Sequence, residues 1–520
     1  MAMRTYGLSG SGMDVDQLVK DLMKARRATY DKVWQQKTQT EWKKQDYNTI
    51  YTLINDLRDK TLYDFRKQST LSPKQVASSN DSIVSASANG EAVNIDHSIA
   101  VKELATGVKM ISREGVTPAG KYKEGTLQEQ FGDGVVPEKL EFKINGKDIK
   151  LNVTESTKLN DVVVAINQAG AGVKASYDYT LDRFFLYSEK TGSEATVDFA
   201  GSSEDSLKFL FDTLKLGDAN YSSSTQLKQT GSDAQVIIDG VSLTHASNTF
   251  TVSGVTYNLK AKSLTDPDNG DPMPVTIAVK ADIEKTIDTV QAFVETYNAF
   301  ITTINNELKE DRNRDYMPLT DSQKSDMKDS DIAAYTQKAK SGMLRHDQTL
   351  SSLLSNLRLS FSSPIQGVAG KYNSASSIGI ETGKYIDSDG NINSESDNGG
   401  KIYIDEDTLR EALEEDPDAV YKIFGGTGDS SETTGVANRL FQELYNTRDQ
   451  LRTLSGTPNS VDSQSVLAKR LTDYTERLTV MERQLQMQQE RYYKQFDAME
   501  AAISKMNQQS TWLTQQFSQG

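Results

Sequence analysis

The three histidines, His97, His245 and His346, stand alone in the chain. A metal or catalytic histidine needs partners at fixed spacing, such as His-x-x-Glu-His on one helix face, and none occurs here. Each reads as a packed or solvated side chain. Asp387-Ser388-Asp389-Gly390-Asn391 hints at a calcium loop. Such a loop needs glycine at its sixth position for the turn and glutamate at its twelfth as a bidentate ligand. Ile392 and Asn398 stand there instead, which favours a polar turn. Gly7 to Gly12 and Gly231-Ser232-Asp233 lack the Lys-Ser/Thr ending of a phosphate loop. No Gly-x-Ser-x-Gly elbow opens a strand–helix unit. Asp182 and Glu189 have no paired setting for glycoside chemistry. Cysteine is absent, which excludes thiolate zinc sites, cysteine nucleophiles and disulfides. We therefore expect no enzyme, no catalytic residue, no cofactor and no metal. The chemistry left to the chain is non-covalent packing, and Trp512, Leu513 and Phe517 at its free end are the apolar groups to watch.

The 520 residues allow three or four domains, and their net charge is −15. That balance disfavours nucleic acid, whose phosphates need clustered Lys and Arg. It also disfavours docking to an anionic membrane. No run approaches membrane-spanning length. Met1 to Gly12 is short and Gly/Ser-rich with no apolar core, so export would use a route without a cleaved leader.

The elements that must carry the packing are the two chain ends. From Val466 to Phe517, apolar residues recur at alternating steps of three and four. They are Leu467, Leu471, Tyr474, Leu478, Met481, Leu485, then polar Gln488, then Tyr492, Phe496, Met499, Ile503 and Met506. This is a coiled-coil seam, and it predicts a rod of roughly 75 Å. The spacing from Leu485 through Gln488 and Tyr492 to Phe496 is a stutter that locally unwinds a left-handed supercoil. The portion before it is expected to pair near a bundle and the portion after it to face partners. At the other end, Asp14 reads as an N-cap with Gln17 as its reciprocal partner. Leu18, Leu22, Ala25, Val33, Tyr47, Ile50, Ile54 and Leu57 share one heptad frame, with Thr29, Gln36, Thr40 and Lys43 making a polar middle. Pro73 ends that helix. The N-terminal helix is the expected antiparallel partner of the C-terminal one, with further chains completing the burial.

Between the rods the texture alternates with period two. Ser82 to Ala88, Val93 to Val101, Gln235 to Asp239, Asn248 to Leu259 and Val275 to Val279 read as strands. Leu140 to Val153 is a hairpin turning at Asn145-Gly146. Leu159 to Gln168 is a helix capped by Thr157 or Asn160, and Val173 to Tyr179 pairs with Arg183 to Ser188. Helix returns at Asp282 with the seam Ile283, Ile287, Val290, Val294, Tyr297, Ile301, Ile304 and Leu308, followed by helices at Met343 to Leu359, Leu409 to Phe424 and Val436 to Leu454. The fold class is multidomain α+β: long terminal coiled-coil helices, a helical bundle, and two nested β-rich head domains. The expected boundaries are a leg at 1–44, a bundle at 45–72 with 281–455, a β-rich head at 73–135 with 231–280, an inserted α+β head at 136–230, and a second leg at 456–520.

Several stretches resemble one family, in family order along the whole chain. Gly7 to Val19 resembles the opening signature of the bacterial flagellar filament cap proteins, the hook-associated proteins of type 2. Ile144-Asn145-Gly146, Ala165-Ile166-Asn167 and Gly172-Val173 resemble its hairpin–helix module. Phe293 to Phe300 resembles its central bundle helix. Ile378-Gly379-Ile380, Ile404 to Leu409 and Asp416 to Val420 resemble a further stretch, and Glu490 to Glu500 its most specific segment. The polar insert Asp387 to Gly400 departs from the short turn usual there. The resemblance implies a secreted, extracellular protein at the flagellar filament tip, exported through the flagellar type III apparatus. It implies a ring-shaped homo-oligomer, a pentamer on the filament, that promotes ordered insertion and polymerisation of exported flagellin and prevents its loss. The implied partners are flagellin, a hook–filament junction protein, and a cytoplasmic export chaperone on the C-terminal helix. A rival reading makes the head an adhesin for host mucin. Contact candidates are Leu18, Leu22, Val33, Tyr492, Phe496, Met499, Ile503, Met506, Trp512, Leu513 and Phe517.

Overall fold

Each texture change along the chain becomes an element in the computed structural model, which describes residues 14–217, 227–382, 385–386, 392–393 and 399–517. The glycine-rich lead and most of the Asp387 to Gly400 insert, including the suspected calcium loop, lie outside the described residues. Helix α1 spans Val15–Asn55, and Asp14 accepts from the Gln17 backbone N–H at 3.0 Å. The expected reciprocal bond is not made, because the Gln17 amide reaches Asp21 at 3.2 Å instead. The helix runs on through a π-helical stretch at Asp56–Leu62. Continuing the Ile50, Ile54, Leu57 spacing would bring Thr61 inward. The wider turn buries Leu62 and Phe65 instead.

Residues 72–282 form one compact unit. Its strands are β1 (Lys74–Ser78), β2 (Val84–Ala88), β3 (Asp96–Glu103), β4 (Lys109–Ile111), β5 (Lys139–Ile144), β6 (Lys147–Asn152), β7 (Val173–Asp178), β8 (Arg183–Ser188), β9 (Thr196–Asp198), β10 (Lys228–Thr230), β11 (Ala234–Ile238), β12 (Val241–His245), β13 (Thr249–Val252), β14 (Val255–Leu259) and β15 (Val275–Ala281). A five-stranded sheet ordered β1-β15-β3-β11-β12 and a three-stranded sheet ordered β13-β14-β2 enclose one core. Their inward residues, among them Ile99, Val101, Val236, Tyr257 and Ile277, alternate with exposed ones, as pleating requires. Asp239-Gly240 and Ser253-Gly254 take positive φ at both positions, 50° and 81°, then 49° and 80°. Two left-handed residues match the twist of a tight hairpin.

The inserted module begins near Thr106, not at residue 136. Thr106 and Ser232 bridge the two chain crossings, each N–H donating to the other's carbonyl at 2.8 and 3.1 Å. β4 joins β8 and β7 in one sheet, and Leu127 and Phe131 enter the module's own core. The reason for the misplaced boundary is local. A strand as short as β4 carries no periodic signal, and residues 113–125 are glycine-rich and polar. Helix α2 (Leu127–Phe131) is too short to show a period, whereas α3 (Leu159–Gln168) falls where expected. Neither Thr157 nor Asn160 caps α3. The Asp161 carboxylate accepts from the Lys158 backbone N–H at 2.8 Å, while the Thr157 hydroxyl accepts from Thr154.

Residues 1–71 and 283–520 group as the second unit. Helix α4 (Ile283–Lys309) buries its predicted seam against Tyr47 to Leu71 and, beyond α5 (Asp329–Lys340), which adds nothing to this core, against α6 (Gln348–Ser362), α7 (Glu406–Glu415), α8 (Ala419–Phe424) and α9 (Val436–Ser455). The expected helix at Met343 to Leu359 starts later, because Asp347 caps it by accepting from Thr349 and Leu350 N–H at 3.1 and 3.3 Å. The expected helix at Leu409 to Phe424 is two helices broken at Asp416-Pro417. α5 has no apolar stripe that a sequence period could show, since only Ala339 of it is buried. At the centre, Phe65 stacks on Phe293 at 4.1 Å, and Phe424 meets Phe65 edge-on at 5.5 Å. Phe293→Ala should cost about 3–5 kcal/mol, since a void replaces a ring packed on all sides. Urea unfolding followed by helical circular dichroism would measure it.

Candidate functional site

Helix α10 (Val466–Phe517) is 52 residues long and lies antiparallel to α1. Ser465 starts it, its hydroxyl accepting from Ala468 N–H at 3.2 Å. Asp462 accepts from Ser465 N–H at 3.0 Å, from Gln464 N–H at 3.1 Å and from Lys44 Nζ at 2.8 Å. This ion pair ties the start of α10 to the C-terminal part of α1. At the other end, the Tyr493 hydroxyl donates to Asp16 at 3.1 Å. The two contacts fix the direction of the pair.

The seam read on α10 is the face that packs. Leu467 and Leu478 are buried, and Leu471, Tyr474, Met481, Leu485, Gln488, Tyr492, Phe496 and Ile503 are half-buried. Met499 departs from it. The covered positions step from Phe496 to Glu500 to Ile503, so Met499 turns outward. At the start of α1 the frame is shifted by one residue: Val19 and Met23 are buried, while Leu18 and Leu22 are 39% and 41% exposed. From Val33 on, Val33, Tyr47, Ile50, Ile54 and Leu57 are buried on the expected frame. Leu18-Val19 and Leu22-Met23 are apolar doublets, so sequence supports either frame. Only the direction of approach of α10 selects one.

In the polar middle of α1, Gln36, Thr40 and Lys43 are half-buried and Thr29 is exposed, while the residues beside them find partners. Gln35 donates to the Pro318 carbonyl at 3.0 Å and Gln39 to the Met317 sulfur at 3.4 Å. Lys324 lies 5.9 Å above the Trp34 ring and Lys340 5.4 Å above Trp42. Residues 316–340 thus use hydrogen bonds and cation–π contacts where a coiled coil would use leucines.

Beyond Asp16, α10 outruns the described part of α1. Met506, Trp512 and Leu513 there are 59%, 59% and 48% exposed. The Phe517 side chain lies outside the described residues. The overhang is roughly 30 Å at the helical rise.

Two carboxylates report the electrostatics. Burial disfavours the charged form of Asp462, but Lys44, Ser465 and two backbone N–H groups outweigh it and hold its carboxyl well below the usual range. A depressed folded value adds stability above the unfolded value near ~4, and this is lost as pH falls below it. Asp462→Asn should flatten the acid limb of the melting curve below about pH 4, and Lys44→Ala should cost about 1–3 kcal/mol at pH 7. Asp46 shifts the other way. Burial, then Glu310, push it up to about 6, with Lys340 opposing. Its contribution is full below pH ~4 and is lost as pH rises to about 6. Asp46→Asn should therefore raise Tm at pH 7.5 and lose that gain at pH 4, as scanning calorimetry would show.

The histidines and acids singled out for chemistry have structural roles. His97 is buried and its Nδ1 lies 2.7 Å from Asp239. The His245 ring stacks on Phe250 at 3.9 Å. His346 takes positive φ, 53°, at the turn before Asp347. Asp182 is buried and accepts from the Thr117 and Tyr177 hydroxyls at 2.7 and 2.8 Å, and Glu189 pairs with Lys174 at 3.2 Å. Among the described residues no cluster of three or more His, Asp or Glu is placed to hold a metal ion, and no helix is long and apolar enough to cross a membrane.

A helical bundle with a half-covered leg and a nested β insertion is the architecture of a structural protein. The family described as flagellar hook-associated protein 2 matches with its C-terminal part over residues 231–508 and its N-terminal part over residues 11–107. The flagellin hook IN motif matches residues 139–190. The flagellar hook-associated protein 2 of Halalkalibacterium halodurans is 30% identical over 99% of this chain and 100% of its own length. That of Thermotoga maritima is 27% identical over 72% of this chain and 54% of its own. The crystal structure of the flagellar cap protein FliD D1-D2-D3 domains from Escherichia coli shares the fold, with a TM-score of 0.52 and 19% identity over 83% of this chain and 99% of that one. The chain belongs to the flagellar hook-associated protein 2 family, the filament cap proteins of the bacterial flagellum.

Proposed function

We propose that this chain caps the growing flagellar filament as a ring of identical subunits, five on the filament, and promotes the ordered insertion of exported flagellin beneath it. The legs are the working parts. The observation that carries this reading is the overhang of α10, which keeps Met506, Trp512 and Leu513 exposed past the described start of α1. A helix so built is completed by other chains: neighbouring subunits, flagellin, the junction protein below, or an export chaperone that masks the seam before secretion. An apolar strip of this length left bare invites aggregation, which suits a masking partner. Each leg docks through half-covered side chains, so its contacts exchange as subunits are added. The cap also retains flagellin that would otherwise diffuse away.

Deleting residues 511–520 should leave a folded chain that still oligomerises. Introduced into a strain lacking its own cap protein, it should fail to restore filaments, as read by electron microscopy of filament ends and swimming in soft agar. Normal filaments from the truncated chain would sink the reading.

A further inference from the structure

The outward face of the β4-β8-β7 sheet carries apolar groups that the module's core does not use. Cross-strand register sets their neighbours. Tyr187 lies between Lys109 and Lys174, and Phe185 between Ile111 and Ser176. Directly paired residues share a face, so these side chains form one grid. The Phe185 and Tyr187 rings lie 6.0 Å apart and only 20° from parallel. Both are half-buried and border an open groove of about 500 Å³ with Tyr179. Lys109, Lys174 and Arg183 outnumber Asp178 and Glu189 on and beside this face, with Lys174 paired to Glu189 at 3.2 Å and Lys109 opposite Tyr187. Asp178 is moreover engaged with the Thr180 and Leu181 N–H groups at 2.8 and 2.9 Å. In a chain of net charge −15, an aromatic face with a cationic rim is an exception that asks for an acidic partner.

The same unit displays a surface of the opposite kind. Residues 264–273 form a closed hairpin between β14 and β15. Met273 N–H donates to the Leu264 carbonyl at 2.7 Å, and Asp266 N–H to the Asp271 carbonyl at 2.8 Å. Its arms present Leu264 and Met273, 64% and 48% exposed. Its tip carries Asp266, Asp268 and Asp271, and no Lys or Arg occurs from Ser263 to Pro274. The internal bonds pre-order the loop, which lowers the entropy cost of docking.

We propose that the acidic 264–273 hairpin of one subunit docks on the β4-β8-β7 face of the next. Met273 and Leu264 meet Phe185 and Tyr187, since thioether and aliphatic groups pack well on aromatic rings. The aspartates face Lys109 and Lys174. Knob and socket are different surfaces, so the contact is head-to-tail and propagates around a ring rather than closing a dimer. A single contact of this size is weak, and ring closure makes it effective. The proposal rests on the ring reading above and names one of its interfaces.

The test uses the full chain and follows oligomer size by sedimentation velocity. Wild type should form rings. Lys109→Glu with Lys174→Glu should weaken assembly about tenfold or more, and so should Asp266→Lys with Asp268→Lys, without altering the melting temperature. The chain carrying all four changes should regain assembly, because both faces are reversed together. Independently, Tyr187→Cys and Met273→Cys chains, mixed under mild oxidation, should form a disulfide-linked heterodimer, legible because the chain has no other cysteine. Rings that assemble as wild type despite either charge reversal, or a fourfold variant that does not regain assembly, overturn this contact and leave the ring standing. A wild-type chain that stays monomeric overturns the ring reading and this contact with it.

Discussion

The structure depends on one mismatch: among the described residues, the 52-residue α10 lies along α1 for only part of its length. Pairing α10 with α1 buries a strip, not a cylinder. In the bundle, Leu353, Leu357 and Phe424 have essentially no solvent contact. On the leg, Leu471, Tyr474, Met481 and Leu485 keep part of theirs, although they have the same apolar character. A two-stranded contact covers about one face of each helix. The residual exposure is thus a consequence of geometry, and it is the feature on which the proposed docking of other chains rests.

The anchors of the leg differ in kind from its seam. Leucine contacts are non-directional and tolerate sliding. The Lys44–Asp462 pair and the Asp16–Tyr493 bond are directional and fix register at the two ends. Between them, residues 316–340 hold the polar middle of α1 through amide and cation–π contacts. The chain therefore stiffens its leg without closing the apolar strip. The β unit is built on the opposite principle, with two separate cores and tight two-residue turns that leave little backbone freedom.

Legibility followed signal length. The α10 seam, the α4 seam and the Asn145-Gly146 hairpin were readable because each repeats a period several times or uses a turn that only a few residues permit. β4 was not readable, since it contributes only three residues to its sheet. α5 was not readable, since it is held by polar contacts and has no stripe. Caps were half legible: Asp14 accepts the bond expected of it, yet Gln17 finds Asp21 closer than its own N-cap.

For the leg itself, sequence determined that α10 is one continuous helix, which of its faces packs, and where its period breaks. Those properties are set by side-chain spacing along a single element. Tertiary structure decided which face of α1 answers it, turning Leu18 and Leu22 outward in favour of Val19 and Met23. It also decided that Lys44 meets Asp462 and that residues 316–340 cover the polar middle. Such choices depend on the approach of elements hundreds of residues apart, and no local period encodes that approach.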